Sequence, residues 1–191
     1  MKHFSSQSLV ALLMLIFLYS DQLMANSQDF ASQDLALVQD DVSLLLQGDI
    51  SFNFSKAALE ALANGLPLAV ETEINIKPVN KWYWQKSLVS YNYKLEIQYH
   101  ALSQQYLVKG FSDDYPRAFY TQSSALVALG HVEGLPLIEL SLLEAEASYE
   151  VNIRSALDSE SLPVPLRPLT YLSDDWRLRS EWKRLQWPES Q

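Results

Sequence analysis

Cysteine is absent from this chain of 191 residues. That excludes disulfides, thiolate metal sites, thiol nucleophiles and a lipid anchor on an N-terminal cysteine. Histidine is almost as scarce. His3, His100 and His131 form no His-x₃-His pair and no HExxH, so a zinc site of the usual kind is excluded. A lone histidine is ordinarily a surface or capping residue, and His100 and His131 are read that way. Five glycines are too few for a phosphate-cradling loop, and no G-x-S-x-G occurs. Basic charge is short as well: 14 Lys and Arg stand against 23 Asp and Glu, net −9. Such a surface repels phosphate backbones, so nucleic acid is not an expected partner, and the acidity reads as solubility.

Long apolar runs are missing except for one. Leu9 to Tyr19 (LVALLMLIFLY) follows a basic start at Lys2 and His3 and precedes Leu23-Met24-Ala25. Its 11 residues are short of the roughly 20 that cross a bilayer. The order reads as a signal peptide over residues 1–25, cleaved after Ala25. Leu23 stands at −3 in place of a small residue, so an uncleaved N-terminal anchor is the alternative. Once the leader is gone no transmembrane segment is expected. The expected organisation is a flexible segment at 26–33 and a single domain at 34–191, long enough to bury a core by packing alone.

What the chain has in abundance is period two. In LPLAVETEINIK (66–77), Leu68, Val70, Thr72, Ile74 and Ile76 share a face, and Glu71, Glu73, Asn75 and Lys77 take the other. In YNYKLEIQY (91–99), Tyr91, Tyr93, Leu95, Ile97 and Tyr99 alternate with polar residues. Ala147, Tyr149, Val151 and Ile153 repeat the pattern, which is that of half-buried antiparallel strands. Val42 to Phe54 keeps one register through Val42, Leu44, Leu46, Ile50, Phe52 and Phe54, with Gly48 marking a bend or bulge. Strands are also expected at 34–39, before a tight turn at Asp40-Asp41, and at 104–109, as a hairpin partner of 91–99.

Two short helices interrupt the strands. Ser55 caps KAALEALAN, Phe54 and Leu59 form a hydrophobic staple, and Gly65 stops it. Leu59, Leu62, Ala63 and Leu66 are expected to face the sheet. The second starts at Thr121 or Ser123 and ends at Gly130. Residues 155–169, with Pro163, Pro165 and Pro168, read as an extended connector on the surface or along a sheet edge. Trp176, Leu178, Ser180 and Trp182 alternate as in a strand, and the phase slips near Lys183-Arg184. A helix through Leu178, Trp182 and Leu185 is the rival. The sum is a mainly β protein, an antiparallel β-sandwich of immunoglobulin-like outline with two short helices.

Few residues point to chemistry. Asp40-Asp41, Asp113-Asp114 and Asp174-Asp175 read as turn formers. A carboxylate hydrolase would have to use Asp113, Asp114 and Glu133. The run Arg177, Arg179, Lys183 and Arg184 reads as a solvated face or a set of internal ion pairs. Trp82 and Trp84 share a face in an extended KWYW and Tyr83 opposes them. Exposed, they could stack on sugar rings or anchor a partner, whereas buried they would close one end of the sandwich.

Several blocks together resemble a known family: ALEALANGLPLAVETEINI, KWYWQK, YKLEIQYHALSQQYLV and LPVPLRPLTYLSDDWRLRSEW. They are similar to the exported bacterial proteins grouped as domain of unknown function 4390, over about Leu35 to Trp187. The resemblance implies a Gram-negative periplasmic setting. It also implies proximity to a membrane sensor histidine kinase, which lies beside members in some genomes. It supplies no activity, cofactor or catalytic residue. The expectation is a non-catalytic binding module with no cofactor and no metal, acting on an envelope protein, with the membrane sensor kinase as the named candidate. Its expected surface is Trp82, Tyr83 and Trp84 together with Leu162, Pro163, Pro165 and Arg167, where an unpaired edge could accept a strand. The alternatives are a carboxylate-dependent hydrolase and a carbohydrate-binding module acting on envelope polymers.

Overall fold

Two antiparallel sheets pack face to face in the computed structural model, which describes residues 30–79, 87–144 and 147–188. The smaller sheet has the order β1-β2-β7, formed by β1 (Ala31–Gln39), β2 (Ser43–Ser51) and β7 (His131–Glu139). The larger has the order β6-β5-β4-β3-β8-β9, formed by β3 (Leu68–Pro78), β4 (Val89–His100), β5 (Gln105–Lys109), β6 (Arg117–Phe119), β8 (Tyr149–Leu157) and β9 (Lys183–Trp187). In immunoglobulin terms β1, β2 and β7 take the places of A, B and E. β9, β8, β3, β4 and β5 take those of G, F, C, C′ and C″, the variable-type order. Tyr149 opens the F-like strand, and its Oη accepts the backbone N–H of Glu144 at 2.8 Å, an arrangement of the tyrosine-corner kind.

The alternating residues do what their period demands. Leu68, Val70, Ile74 and Ile76 of β3, Leu95 and Ile97 of β4, and Val151 and Ile153 of β8 are fully buried. Leu44, Leu46 and Ile50 of β2 and Leu135 and Leu137 of β7 complete the buried cluster. Each contributes about 1.5–3 kcal/mol of burial relative to exposure. Phe30 meets both Phe52 and Phe54 edge to face, at 5.0 and 5.3 Å between ring centroids. Phe30 is buried and β1 starts at Ala31, so residues 30–33, expected in a flexible segment, take part in the sandwich.

The bend expected at Gly48 is present. Its φ is +128°, and the pairing of β2 shifts on both sides of the strand near it. A Cβ there would run into the carbonyl of Asp34, so only glycine fits. Val42, expected inside, is exposed, because β2 begins only at Ser43. Helix α1 (Lys56–Ala63) is capped by Ser55, whose Oγ accepts the N–H of Ala58. It ends in a Schellman pair, Leu66 N–H to Ala61 O and Gly65 N–H to Leu62 O. Ala58 and Leu62 are buried, and Leu59 and Leu66 pack against the core as expected, whereas Ala63, expected to face the sheet, is exposed at the end of the helix. Helix α2 (Gln122–Gly130) is capped by Thr121, and β7 follows it without a loop.

Strands β6 and β7 were not expected from the pattern. Gly134 and Pro136 break the alternation of β7, and β6 is three residues long. The 155–169 stretch is also different from the extended connector. β8 runs on to Leu157, a tight 3₁₀ turn covers Ser159–Ser161, and turns over 164–168 lead into the four-residue helix α3 (Leu169–Leu172). Its prolines close turns, so no free edge for strand addition forms there. In the C-terminal stretch the expected strand over 176–182 does not form: Trp176 closes a 3₁₀ turn (Asp174–Trp176) and Arg179 makes an isolated bridge to Ala156. Trp176, Leu178 and Ser180 are buried, Trp182 is only half-buried, and the strand proper, β9, begins at Lys183 with its odd residues the less exposed.

Candidate functional site

Three connections gather at one end of the sandwich: the α1 segment, the turn at 101–104 and the long link from β8 to β9. By strand order they correspond to the B–C, C′–C″ and F–G loops, which carry the binding surface of immunoglobulin variable domains. The long link is held at both ends. Leu157 N–H donates to Leu178 O, Asp158 N–H donates to Ala69 O, and Ser155 and Ser180 exchange two hydrogen bonds. Within it, Leu162 (1% exposed), Trp176 and Leu178 are buried anchors. Arg167 donates to the carbonyls of Leu162 (3.0 Å) and Glu160 (2.8 Å). Arg177 donates to the carbonyl of Tyr171 at 2.8 Å and pairs with Asp174 at 3.3 Å. The loop is thus fixed from inside while Val164 (71%), Tyr171 (75%) and Leu172 (81%) face water.

An ion pair ties this loop to the large sheet. Lys94 Nζ lies 2.8 Å from Asp158 Oδ2. Burial pushes the Asp158 carboxyl up. The hydrogen bonds from Lys94 and from the N–H groups of Glu160 and Ser161 outweigh it and hold the carboxyl below its ordinary value. The hydrogen bond to Asp158 raises the Lys94 ammonium. The rest of that outer sheet face is polar and cross-linked. Arg154 reaches Glu73 at 3.1 Å and covers the Trp182 ring at 4.4 Å from its centroid. On the opposite, inner face, burial and to a lesser degree Tyr91 push the Tyr93 hydroxyl up.

The residues expected to carry function fall in different places. Trp82, Tyr83 and Trp84 lie outside the described residues. Pro163, Pro165 and Arg167 are exposed on the loop. Leu162 is buried and offers no surface. It is one of the anchors that position the others. Each Asp pair sits in a turn. Asp40 accepts the N–H groups of Val42 and Ser43, bonds that lower its carboxyl. Asp113 accepts Gly110 N–H and pairs with Arg117, and Asp174 and Asp175 open a 3₁₀ turn. Glu133 is exposed on β7, in the other sheet, and no hydrogen bond joins it to Asp113 or Asp114. His131 Nδ1 meets Asp49 at 2.9 Å on the surface, and His100 closes a turn with Ser103. Among the described residues no three His, Asp or Glu side chains form a group that could hold a metal ion. No helix among them is long and apolar enough to cross a membrane.

Sequence reasoning missed Tyr171 and Leu172 because an adjacent apolar pair after three prolines has no period to read. It also missed the pairing of Asn75 with Asn152: each reads singly as an amide among outward-facing charged residues, and only the register of β3 on β8 sets them opposite each other.

A family model described as Domain of unknown function (DUF4390) matches residues 27–186, most of the chain, and the chain belongs to that family. No curated protein and no solved structure matches it.

Proposed function

We propose that this member of the DUF4390 family is a periplasmic, non-catalytic binding module for another envelope protein, engaged through the loop between β8 and β9. The extracytoplasmic part of a membrane sensor kinase is the partner to test first. The observation that carries the reading is the contrast within that loop. Its backbone is locked by Arg167, Arg177, Asp158 and three buried anchors, yet Val164, Tyr171 and Leu172 are spread on its outside. A loop already ordered in the free protein loses little entropy on binding, and exposed tyrosine and aliphatic side chains are the kind that dominate interface energies. The signal-peptide pattern of the sequence over residues 1–25 is what supports the compartment.

The test is titration of the purified protein against the extracytoplasmic domain of the sensor kinase found beside family members. Binding is expected, and Tyr171→Ala with Leu172→Ala weakens it at least about tenfold, close to 1.4 kcal/mol. Both side chains are exposed, so the melting temperature stays the same. Unchanged affinity in the double variant overturns the loop as the binding surface. Absence of any complex removes the kinase as partner.

A further inference from the structure

On the outer face of the large sheet, where the β8–β9 link ends at Trp182, an open depression of about 430 Å³ is lined by Glu73, Asn75 and Lys77 of β3, Glu150 and Asn152 of β8, Ser87, Trp182 and Arg184. Asn75 and Asn152 are cross-strand partners on β3 and β8. They are 8% and 7% exposed. Each amide nitrogen donates to the carboxylate two residues back: Asn75 Nδ2 to Glu73 Oε1 at 2.6 Å, and Asn152 Nδ2 to Glu150 Oε1 at 2.8 Å. A carboxylate only accepts, so these bonds fix which way each amide points. Both Oδ1 atoms, and the second N–H of each amide, have no partner among the described residues. Buried polar atoms of this kind ordinarily find one.

The lining has two carboxylates and two cations, so its formal charge sums to zero. A charged ligand gains no net attraction from such a ring. A neutral ligand rich in hydroxyl groups meets paired donors and acceptors at short spacing, with an indole wall on one side. Trp182 is held in place by Arg154, which stacks on the ring and does not line the depression. Side-chain amides and carboxylates that bond hydroxyls, set beside an aromatic ring, form the chemistry that recognises a saccharide. We propose that the Asn75–Asn152 pair and Trp182 form a binding site for a neutral oligosaccharide. The site is independent of the protein partner proposed above.

The test uses the purified protein with cellotetraose, maltotetraose and chitotetraose as neutral probes, and with a tetragalacturonate and a chitosan tetramer as charged ones. Side-chain amide resonances of Asn75 and Asn152 are followed in ¹⁵N spectra up to about 10 mM sugar, which reaches dissociation constants weaker than millimolar. At least one neutral probe is expected to move both resonances. Trp182→Ala and Asn152→Ser are each expected to lower its affinity at least about fivefold, about 1 kcal/mol at 1.4 kcal/mol per tenfold. The remaining backbone resonances report whether each variant stays folded, and Trp182→Phe, which keeps a ring, is expected to retain part of the affinity. Silence from every neutral probe overturns the proposal. So does a response confined to a charged probe, or shifts in the folded wild type that leave Asn75 and Asn152 unmoved.

Discussion

Lys94 on β4 and Asp158 at the start of the β8–β9 loop meet at 2.8 Å, joining the middle of the large sheet to the exposed loop. Asp158 also caps the turn that follows it through Glu160 and Ser161 N–H. Its carboxyl is held low, so its contribution is complete above the unfolded carboxylate value, about 3.9, and is lost as pH falls through the folded one. The Lys94 ammonium is raised, so its contribution is complete below the unfolded value, about 10.4, and is lost as pH rises through the folded one. Lys94→Met removes the pair and keeps most of the stem. Lys94 is half in water, so the expected loss at neutral pH is only about 0.5–1 kcal/mol. Urea midpoints of wild type and variant should differ between those limits and converge beyond them at both ends. A difference that stays constant at every pH contradicts an electrostatic role.

Thr72 and Ser155 share a hydrogen bond of 2.8 Å and are both wholly buried, on paired positions of β3 and β8. They form a buried polar pair between Tyr93, the other cross-strand partner of Thr72, and Ser180, which bonds the Ser155 backbone. Thr72→Val keeps the shape and strands the Ser155 hydroxyl, with an expected loss of about 1–3 kcal/mol. Adding Ser155→Ala removes the stranded group, and the double variant should lie close to the single one or above it in stability. Denaturant unfolding of the three proteins measures this. Additive losses mean that the two hydroxyls are not coupled.

The period-two stretches were legible because burial on one sheet face leaves no other arrangement for Leu68 to Ile76 or Tyr91 to Tyr99. Ser55, Gly65 and Thr121 are legible because a helix end needs a cap whatever it packs on, whereas Gly130 marks the end of α2 for a different reason, close packing on β2. Strand β7 was hidden because Gly134 and Pro136 disrupt the alternation while a neighbouring strand still supplies pairing. The turns after β8 leave no pattern in the sequence because they are set by side chains that reach carbonyls five to seven residues back, Arg167 to Leu162 and Glu160 and Arg177 to Tyr171. The depression at Asn75 and Asn152 depends on strand register, which no single strand reveals.

Gly130 ends α2 where the helix lies against β2. A Cβ there would overlap the backbone carbonyl of Ile50 and press on the Phe52 ring. Neither backbone can retreat without breaking the β2 pairing, so Gly130→Ala is expected to destabilise by at least about 3 kcal/mol. Val127 on the same helix faces water, and Val127→Ala should be near neutral. Thermal melts of the two variants make the comparison. Similar melting temperatures would mean that the helix is free to shift outward.

Tyr149 separates a packing role from a hydrogen-bonding one. Its ring is buried, 6.4 Å between centroids from Trp187, and its Oη receives the Glu144 N–H where the chain turns from β7 into β8. Tyr149→Phe keeps the ring and deletes the acceptor. Glu144 is exposed, so water can take its N–H, and the global loss should be at the low end, about 1 kcal/mol or less. The effect should be local, with the Glu144 amide losing protection in hydrogen exchange while the β3, β4 and β8 amides keep theirs. Tyr149→Ala also removes the ring and should cost about 3–5 kcal/mol, exposing the whole sheet to exchange. If Tyr149→Phe instead loosens β8 along its length, the hydroxyl holds the strand itself and not merely the corner that leads into it.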